Sequence, residues 1–453
     1  MRVFQYVLVL VMLFTFSTSA AVSASAEEDA VPHNWQDITA EARGQTVYFH
    51  GWGGSAEANR YMRWAATQLL EEYGVRLRHV RVADIRESVS LLLNEQASQG
   101  DDYRSAVDLI WINGKNFHAL KEANLLTADL STQIPNSALL NPEHLYELDF
   151  GIPTQDLQLP WGVAQFYLML SERAQASLLA ATEADTEANA QANAQANVQA
   201  DAQDDEHVHE GHARLSAAQL LAFAKANPGR VSYPKPPEFH GTTFLKQLLL
   251  ALNSPERKAN SPERSEESPE QERIKLEHLY EEYNAEHHAP ALSALFSYLD
   301  QLHPHMWREG RAFPNGAAEQ MRMFADGQLD IAVSFNPGAL TSGIQRGTIP
   351  AVTMPTSLGA EAITNSHYLA IPKHSKQRAG ALVALNFLLS EVAQRHKANP
   401  EVWGDPAAIV LPNLSVENSS EENSPVELLF PAAQEPHVSW NAVLEQAWRE
   451  RYE

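Results

Sequence analysis

The stretch His50-Gly51-Trp52-Gly53-Gly54-Ser55 closes an apolar run and leads into a helical pattern. Its glycines let backbone N–H groups come close to a bound group, and a helix N-terminus behind them favours a negative or electron-rich atom. Two chemistries use such a loop: stabilising an oxyanion during ester hydrolysis, or gripping a small solute without reaction. Hydrolysis needs a nucleophile on a strand-to-helix elbow of the form G-x-S-x-G. The nearest stretch, Pro355-Thr356-Ser357-Leu358-Gly359, lacks the first glycine and is not followed by a clear amphipathic helix. Binding without catalysis is therefore the expected use. A secreted α/β-hydrolase acting as an esterase, with Ser357 as nucleophile, is the alternative.

Other residues suited to binding recur where strand-like runs end. Asn113-Gly114-Lys115-Asn116 offers two amide side chains that both donate and accept. Tyr233-Pro234 ends one run, His240-Gly241-Thr242-Thr243 opens a helix, and Ser334-Phe335-Asn336 ends another run. Trp161-Gly162 lies where the chain is expected to cross between two lobes. The residues expected to touch a ligand are thus Trp52, Gly53, Gly54, Ser55, Asn113, Asn116, Trp161, Tyr233, Thr242, Ser334 and Asn336. Each has a structural use as well. The tryptophans can simply pack, the asparagines can cap turns, and Thr242 can belong to a helix start.

These positions need elements to hold them. Thr46–Phe49 reads as a strand, and Ser55 as the N-cap of a helix that ends at Gly74. Val75–Val82 and Val107–Ile112 read as strands, with a helix over Ala83–Gln99 between them. That β-α-β-α-β order predicts a parallel, doubly wound sheet, whose ligands sit beyond the carboxyl ends of the strands. A second set follows: strands at Gly229–Tyr233, Asp330–Phe335 and Ala362–Ile371, and helices at Gly241–Leu252, 275–302, Ala317–Ala325 and Gln377–His396. The expected fold is α/β and two-lobed, each lobe a doubly wound sheet flanked by helices. Residues 45–160 and 345–412 are expected in one lobe and 161–344 in the other. Residues 413–453 are expected to form a linker and a terminal helix.

Composition narrows the class. The chain has 453 residues, no cysteine and a formal charge of −24. So acidic a chain repels a phosphate backbone, which argues against nucleic acid as a partner. The absence of cysteine excludes disulfides, thiolate chemistry and Cys-based zinc sites. Arg2, the apolar run Tyr6–Phe16 and Ala24-Ser25-Ala26 have the form of a signal peptide over residues 1–26. Residues 181–212, 253–273 and 415–426 are polar, acidic or proline-rich and read as solvated insertions. His207, His209 and His212 have a spacing that suits zinc, but they lie in the low-complexity insertion, and no metal is expected. No Walker A motif is present, and no cofactor is expected.

Four stretches carry a family resemblance: DLIWINGKNF (108–117), LPWGVAQF (159–166), GRVSYPKPPEFHGTTF (229–244) and ALVALNFLLSEVAQRHKANPEVWGD (381–405). Together they resemble the solute-binding proteins of ABC transporters, akin to binders of thiamine, polyamines and iron, over about 45–412. Glu391 stands where many relatives have proline. The resemblance implies a type II periplasmic-binding fold and no catalysis. It also implies a monomer that captures a small molecule between its lobes in the periplasm and hands it to an inner-membrane permease with separate ATPase subunits.

Overall fold

Ser55 opens and Gly74 closes the first long helix, Ala56–Tyr73, in the computed structural model. The Ser55 hydroxyl accepts from the Ala58 N–H at 3.1 Å, and Gly74 takes the left-handed conformation that ends a helix without a Cβ penalty. Ala58, Tyr61, Met62, Ala65 and Leu69, spaced three and four apart, form its buried face. The structure describes residues 34–100, 103–142, 147–180, 213–254, 277–411 and 428–453. The expected signal peptide 1–26, the expected insertion 181–212 with its histidines, the second expected insertion from residue 255 onward and the stretch 415–426 lie outside the described residues.

In chain order the strands are β1 (Thr46–Trp52), β2 (Arg76–Val82), β3 (Leu109–Ile112), β4 (Leu148–Asp149), β5 (Ile152–Pro153) and β6 (Leu159–Gln165). They continue as β7 (Tyr167–Leu170), β8 (Ala213–Leu215), β9 (Ile331–Ser334), β10 (Met354–Leu358), β11 (Ala362–Ala370) and β12 (Ala432–Ala433). One sheet runs β12-β11-β3-β1-β2, with β6 also on β11; the other runs β8-β10-β7-β9. The first is parallel through β2-β1-β3. Its β11 is antiparallel to β3 and β6, and β7 is antiparallel to β9 and β10.

Those two reversed strands have one cause. Each follows a strand of the other sheet after a very short link: β7 follows β6 after Phe166 alone, and β11 follows β10 after Gly359-Ala360-Glu361. A chain stepping straight from one sheet into the other enters it against the prevailing direction. Two buried glutamines hold these crossings. Gln165 donates to the Phe430 carbonyl at 2.8 Å and accepts from the Phe430 N–H at 2.9 Å. Gln247 donates to the carbonyls of Leu358 and Glu361 and accepts from the Ile363 N–H.

Both faces of the first sheet are covered. Val47, Phe49, Leu109 and Leu369 pack under the helices Ala56–Tyr73 and Arg378–Leu388, while Ile110, Ile112 and Ala370 face the opposite layer. In the second lobe Phe166, Leu168, Leu170 and Val333 meet the helices Phe239–Asn253 and Ala285–Leu302. No helix among the described residues is long and apolar enough to cross a membrane.

Several elements differ from the sequence reading. β1 runs on to Trp52, so Gly51 and Trp52 pair with Arg81 and Val82 inside the sheet. Residues 229–233 make only a bridge between Val231 and Ile331. The expected helix Gln377–His396 is two, Arg378–Leu388 and Glu391–Ala398, because Ser390 caps the second through the Ala393 N–H. β6 pairs in the first sheet through Gln165, and β10 stays with the second, so the sheets divide at Phe166 and 359–361 rather than at 160 and 345. The C-terminal residues are built into the fold. β12 pairs with Ala362 and Ile363, and the helix Ser439–Tyr452 buries Trp440, Leu444 and Trp448, four apart, in the second core.

Candidate functional site

The carboxyl ends of β1 and β3 carry Trp52–Ser55 and Asn113–Asn116, and the end of β9 carries Phe335-Asn336. The lobes touch at both sides of these loops. On one side Glu57 Oε1 pairs with Arg346 at 2.9 Å, and Gly338 is pressed against Gly404. On the other, Lys246 Nζ lies 4.3 Å from the centre of the Phe150 ring, and Lys115 pairs with Glu445 of the C-terminal helix at 3.5 Å.

The first loop is only partly open to a ligand. The Gly53 N–H donates to the Val82 carbonyl at 3.0 Å, and the Gly53 carbonyl accepts from Asn59 at 2.8 Å. The Trp52 indole lies against Gly54, where a Cβ would overlap the ring, and Trp52 remains 43% exposed. Ser55 accepts from its own helix and donates to Glu57 Oε2 at 2.9 Å. An Ala58 N–H that already has a partner is a poor oxyanion donor.

After β3, Asn113 makes no capping bond with its side chain, and Asn116 is half-buried. Both oxygens of Asp149 accept from the Gly114 N–H at 2.9 Å, and Gln158 donates to Asp149 Oδ2 at 2.9 Å. Gly114 has φ +53, and the Phe150 ring would lie 3.2 Å from a Cβ placed there. Burial pushes Asp149 up to about 7 against these hydrogen bonds, and the neighbouring Glu435 adds to the rise. A cavity of about 120 Å³, lined in part by Asp149, Phe150, Asn365, Tyr368 and Glu435, lies beside this loop under the C-terminal segment.

In the second lobe, Asn336 Oδ1 accepts from the Gly338 N–H at 3.0 Å, and its carbonyl accepts from Tyr167 at 3.1 Å. Ser334 is buried at 6% exposure. Glu238 caps the helix Phe239–Asn253 through the Gly241 N–H, and Phe239, 39% exposed, meets Phe335 edge-on at 5.2 Å.

Three expected ligand residues are instead core residues. Trp161 has no exposed surface and packs against Phe49, Tyr61, Trp111 and Trp403. It points into the first core: β6 pairs with β11 alone, but all seven of its residues are buried. Tyr233 is also fully buried. It stacks on Phe244, lies 2.7 Å from His303 Nε2 and accepts from Trp448 Nε1 at 2.8 Å. Thr242 is 3% exposed and donates to Glu445 at 3.1 Å. The expectation that Trp52 and Trp161 face one ligand is corrected by this packing.

Ser357 is no nucleophile either. It is fully buried in β10 and donates to the Gly359 carbonyl at 2.8 Å, and no histidine among the described residues is bonded to it. The 381–405 motif is used inside the first lobe. Lys397 and His367 both reach Asp405 Oδ2, and all three are buried. A Cβ on Gly162 would overlap that His–Asp pair, which explains the glycine after Trp161.

The residues missed by sequence reading are Glu57, Asp149, Glu238, Phe239, Lys246, Arg346 and Glu435. Glu57 and Glu238 carried a signal as acids at helix starts. The others depend on contacts far apart in sequence.

Residues 68–409 match the family model for bacterial extracellular solute-binding proteins. The chain is 34% identical over 420 residues to Protein YnjB of Escherichia coli (strain K12), covering 92% of this chain and 94% of that one. An ABC transporter structure from Clostridium perfringens ATCC 13124 superposes with a TM-score of 0.53 at 12% identity, over 90% of this chain and 98% of that one. The periplasmic binding protein AfuA from Actinobacillus pleuropneumoniae, with fructose-6-phosphate bound, gives 0.52 at 11% identity over the same shares, 90% and 98%.

Proposed function

From the premise that this chain belongs to the bacterial extracellular solute-binding protein family, we propose that it captures a small solute between its lobes and delivers it to an ABC-type permease in the membrane, acting in the periplasm as a monomer. The observation that carries this reading is the meeting of the two lobes on both sides of the strand-end loops, at Glu57–Arg346 and at Phe150–Lys246. A solute that touches both lobes favours the closed arrangement by its differential affinity for closed over open.

The proposed contact set keeps Trp52, Asn113, Asn116 and Asn336 and adds Phe239. Trp52 and Phe239 offer one partly exposed ring from each lobe. The helix starts beside them are already occupied by acids: Glu57 behind Ser55, Asp149 on Gly114 and Glu238 on Gly241. An anionic solute would have to displace the Ser55 hydroxyl or a carboxylate to reach those N–H groups, whereas an organic cation gains from the acids and the ring faces. An organic cation with a flat or apolar body is therefore the preferred solute class, in contrast to the sugar phosphate seen in AfuA.

Native mass spectrometry of protein secreted by a bacterial host tests the reading. A co-purified small molecule, lost on Trp52→Ala, is the expected result. Protein that never carries or binds a small molecule across a panel of amines, sugars, phosphates and metal ions would overturn it.

A further inference from the structure

We propose that the second lobe's helix Gly338–Gln345 is a latch whose two ends seat on the first lobe and set how readily the lobes close. The proposal rests on the two-lobed closure above but on no particular solute.

The N-terminal end is a backbone-to-backbone seat. Gly338 is buried, and a Cβ there would overlap the carbonyl of Gly404. Gly338 does not have a positive φ, so its backbone accepts other residues and the missing side chain serves the contact. The receiving side is firm. The Gly404 N–H is bonded to the carbonyls of Lys397 and Asn399 at 3.1 and 3.0 Å, and the next residue, Asp405, is held by buried Lys397 and His367. Gly404 itself has φ +72, where L side chains are strained. A side chain at 338 therefore has to push the lobes apart, because the loop it meets has little room to yield.

Eight residues on, roughly 12 Å away along the helix, Arg346 reaches Glu57. The two oxygens of Glu57 divide the work. Oε1 takes Arg346 from the other lobe, and Oε2 accepts from Ser55 at the end of the Trp52 loop. Seating the latch thus also orders the first loop. With side chains 42% and 21% exposed, the ion pair is a weak fastener; the glycine seat sets the approach distance and the pair sets the register. Gly338, Glu57 and Arg346 are positioning residues under this assignment.

The chain has no cysteine, so a clean test is available. Ala56→Cys and Gln345→Cys, on exposed positions beside the ion pair, are treated with a flexible bis-maleimide, and the rate of intramolecular cross-linking is followed on gels. The parent pair is expected to cross-link. Gly338→Val is expected to slow the reaction several-fold with an unchanged circular dichroism spectrum. Arg346→Glu is expected to slow it less, with recovery in Glu57→Arg/Arg346→Glu. A folded Gly338→Val that cross-links at the parent rate, or a parent pair that never cross-links, overturns the latch. If the cross-linking behaves as expected but no solute is ever found, the functional reading fails and the latch stands.

Discussion

Lys246 Nζ lies 2.5 Å from Glu435 Oε2, and both side chains are at most 2% exposed. Glu435 Oε1 accepts from Asn365 of β11 at 2.9 Å. A single carboxylate in the C-terminal segment therefore joins a strand of the first lobe to a helix of the second. Phe150, from the first lobe, offers its ring face to the same ammonium.

Breaking that pair from one side leaves a buried charge without a partner. Glu435→Gln is expected to destabilise the protein by about 3–5 kcal/mol, whereas Lys246→Met with Glu435→Leu costs much less, because desolvation offsets most of the pair's attraction. Urea unfolding of the two variants measures the difference. Equal losses would mean that packing, not charge, holds the segment.

The two tryptophans of the original site reading separate cleanly. Trp161→Ala empties a fully buried volume and is expected to cost about 3–5 kcal/mol. Trp52→Ala, at an exposed position, is expected to stay within about 0.5 kcal/mol while weakening solute binding. Thermal melts with the same two proteins check both. A Trp161→Ala melt equal to wild type contradicts the core assignment.

Asp149 makes stability depend on pH. Burial raises its folded pKa to about 7 from the ordinary carboxylate value of 3.8, so the folded state holds this proton more tightly than the unfolded chain. The stability it contributes is full below about pH 4 and is lost as pH rises through 7. Asp149→Asn removes this dependence, and the unpartnered Gln158 Oε1 can turn to accept from the new amide. Melting temperatures of wild type minus variant should fall between pH 4 and 7. A flat difference would place the Asp149 carboxyl near its ordinary range.

Ser357→Ala should leave any background hydrolysis of a simple ester unchanged. Its expected effect is a loss of about 0.5–1.5 kcal/mol of stability, from the bond to the Gly359 carbonyl. Serine-dependent turnover would revive the esterase alternative.

Local signals were legible where the chain itself completes them. Ser55 and Gly74 bracket a helix because a cap needs only its neighbours, and the apolar runs around Phe49 and Leu109 announced buried strands. The 381–405 motif pointed to the family. What it does became visible only when Lys397, Asp405 and His367, from a helix, a loop and a strand, were seen on one carboxylate oxygen.

The sequence by itself determined two α/β lobes and the loops at the strand ends. Tertiary structure alone decided which aromatic rings are exposed and which are core. A tryptophan's type is the same at 52 and 161; Trp52 is exposed because it is the last residue of β1, at the strand's carboxyl end, whereas Trp161 lies within β6, which long-range packing covers completely. It also decided how the lobes meet, since Gly338 with Gly404, Glu57 with Arg346 and Lys246 with Glu435 are pairs distant in sequence that no local pattern encodes.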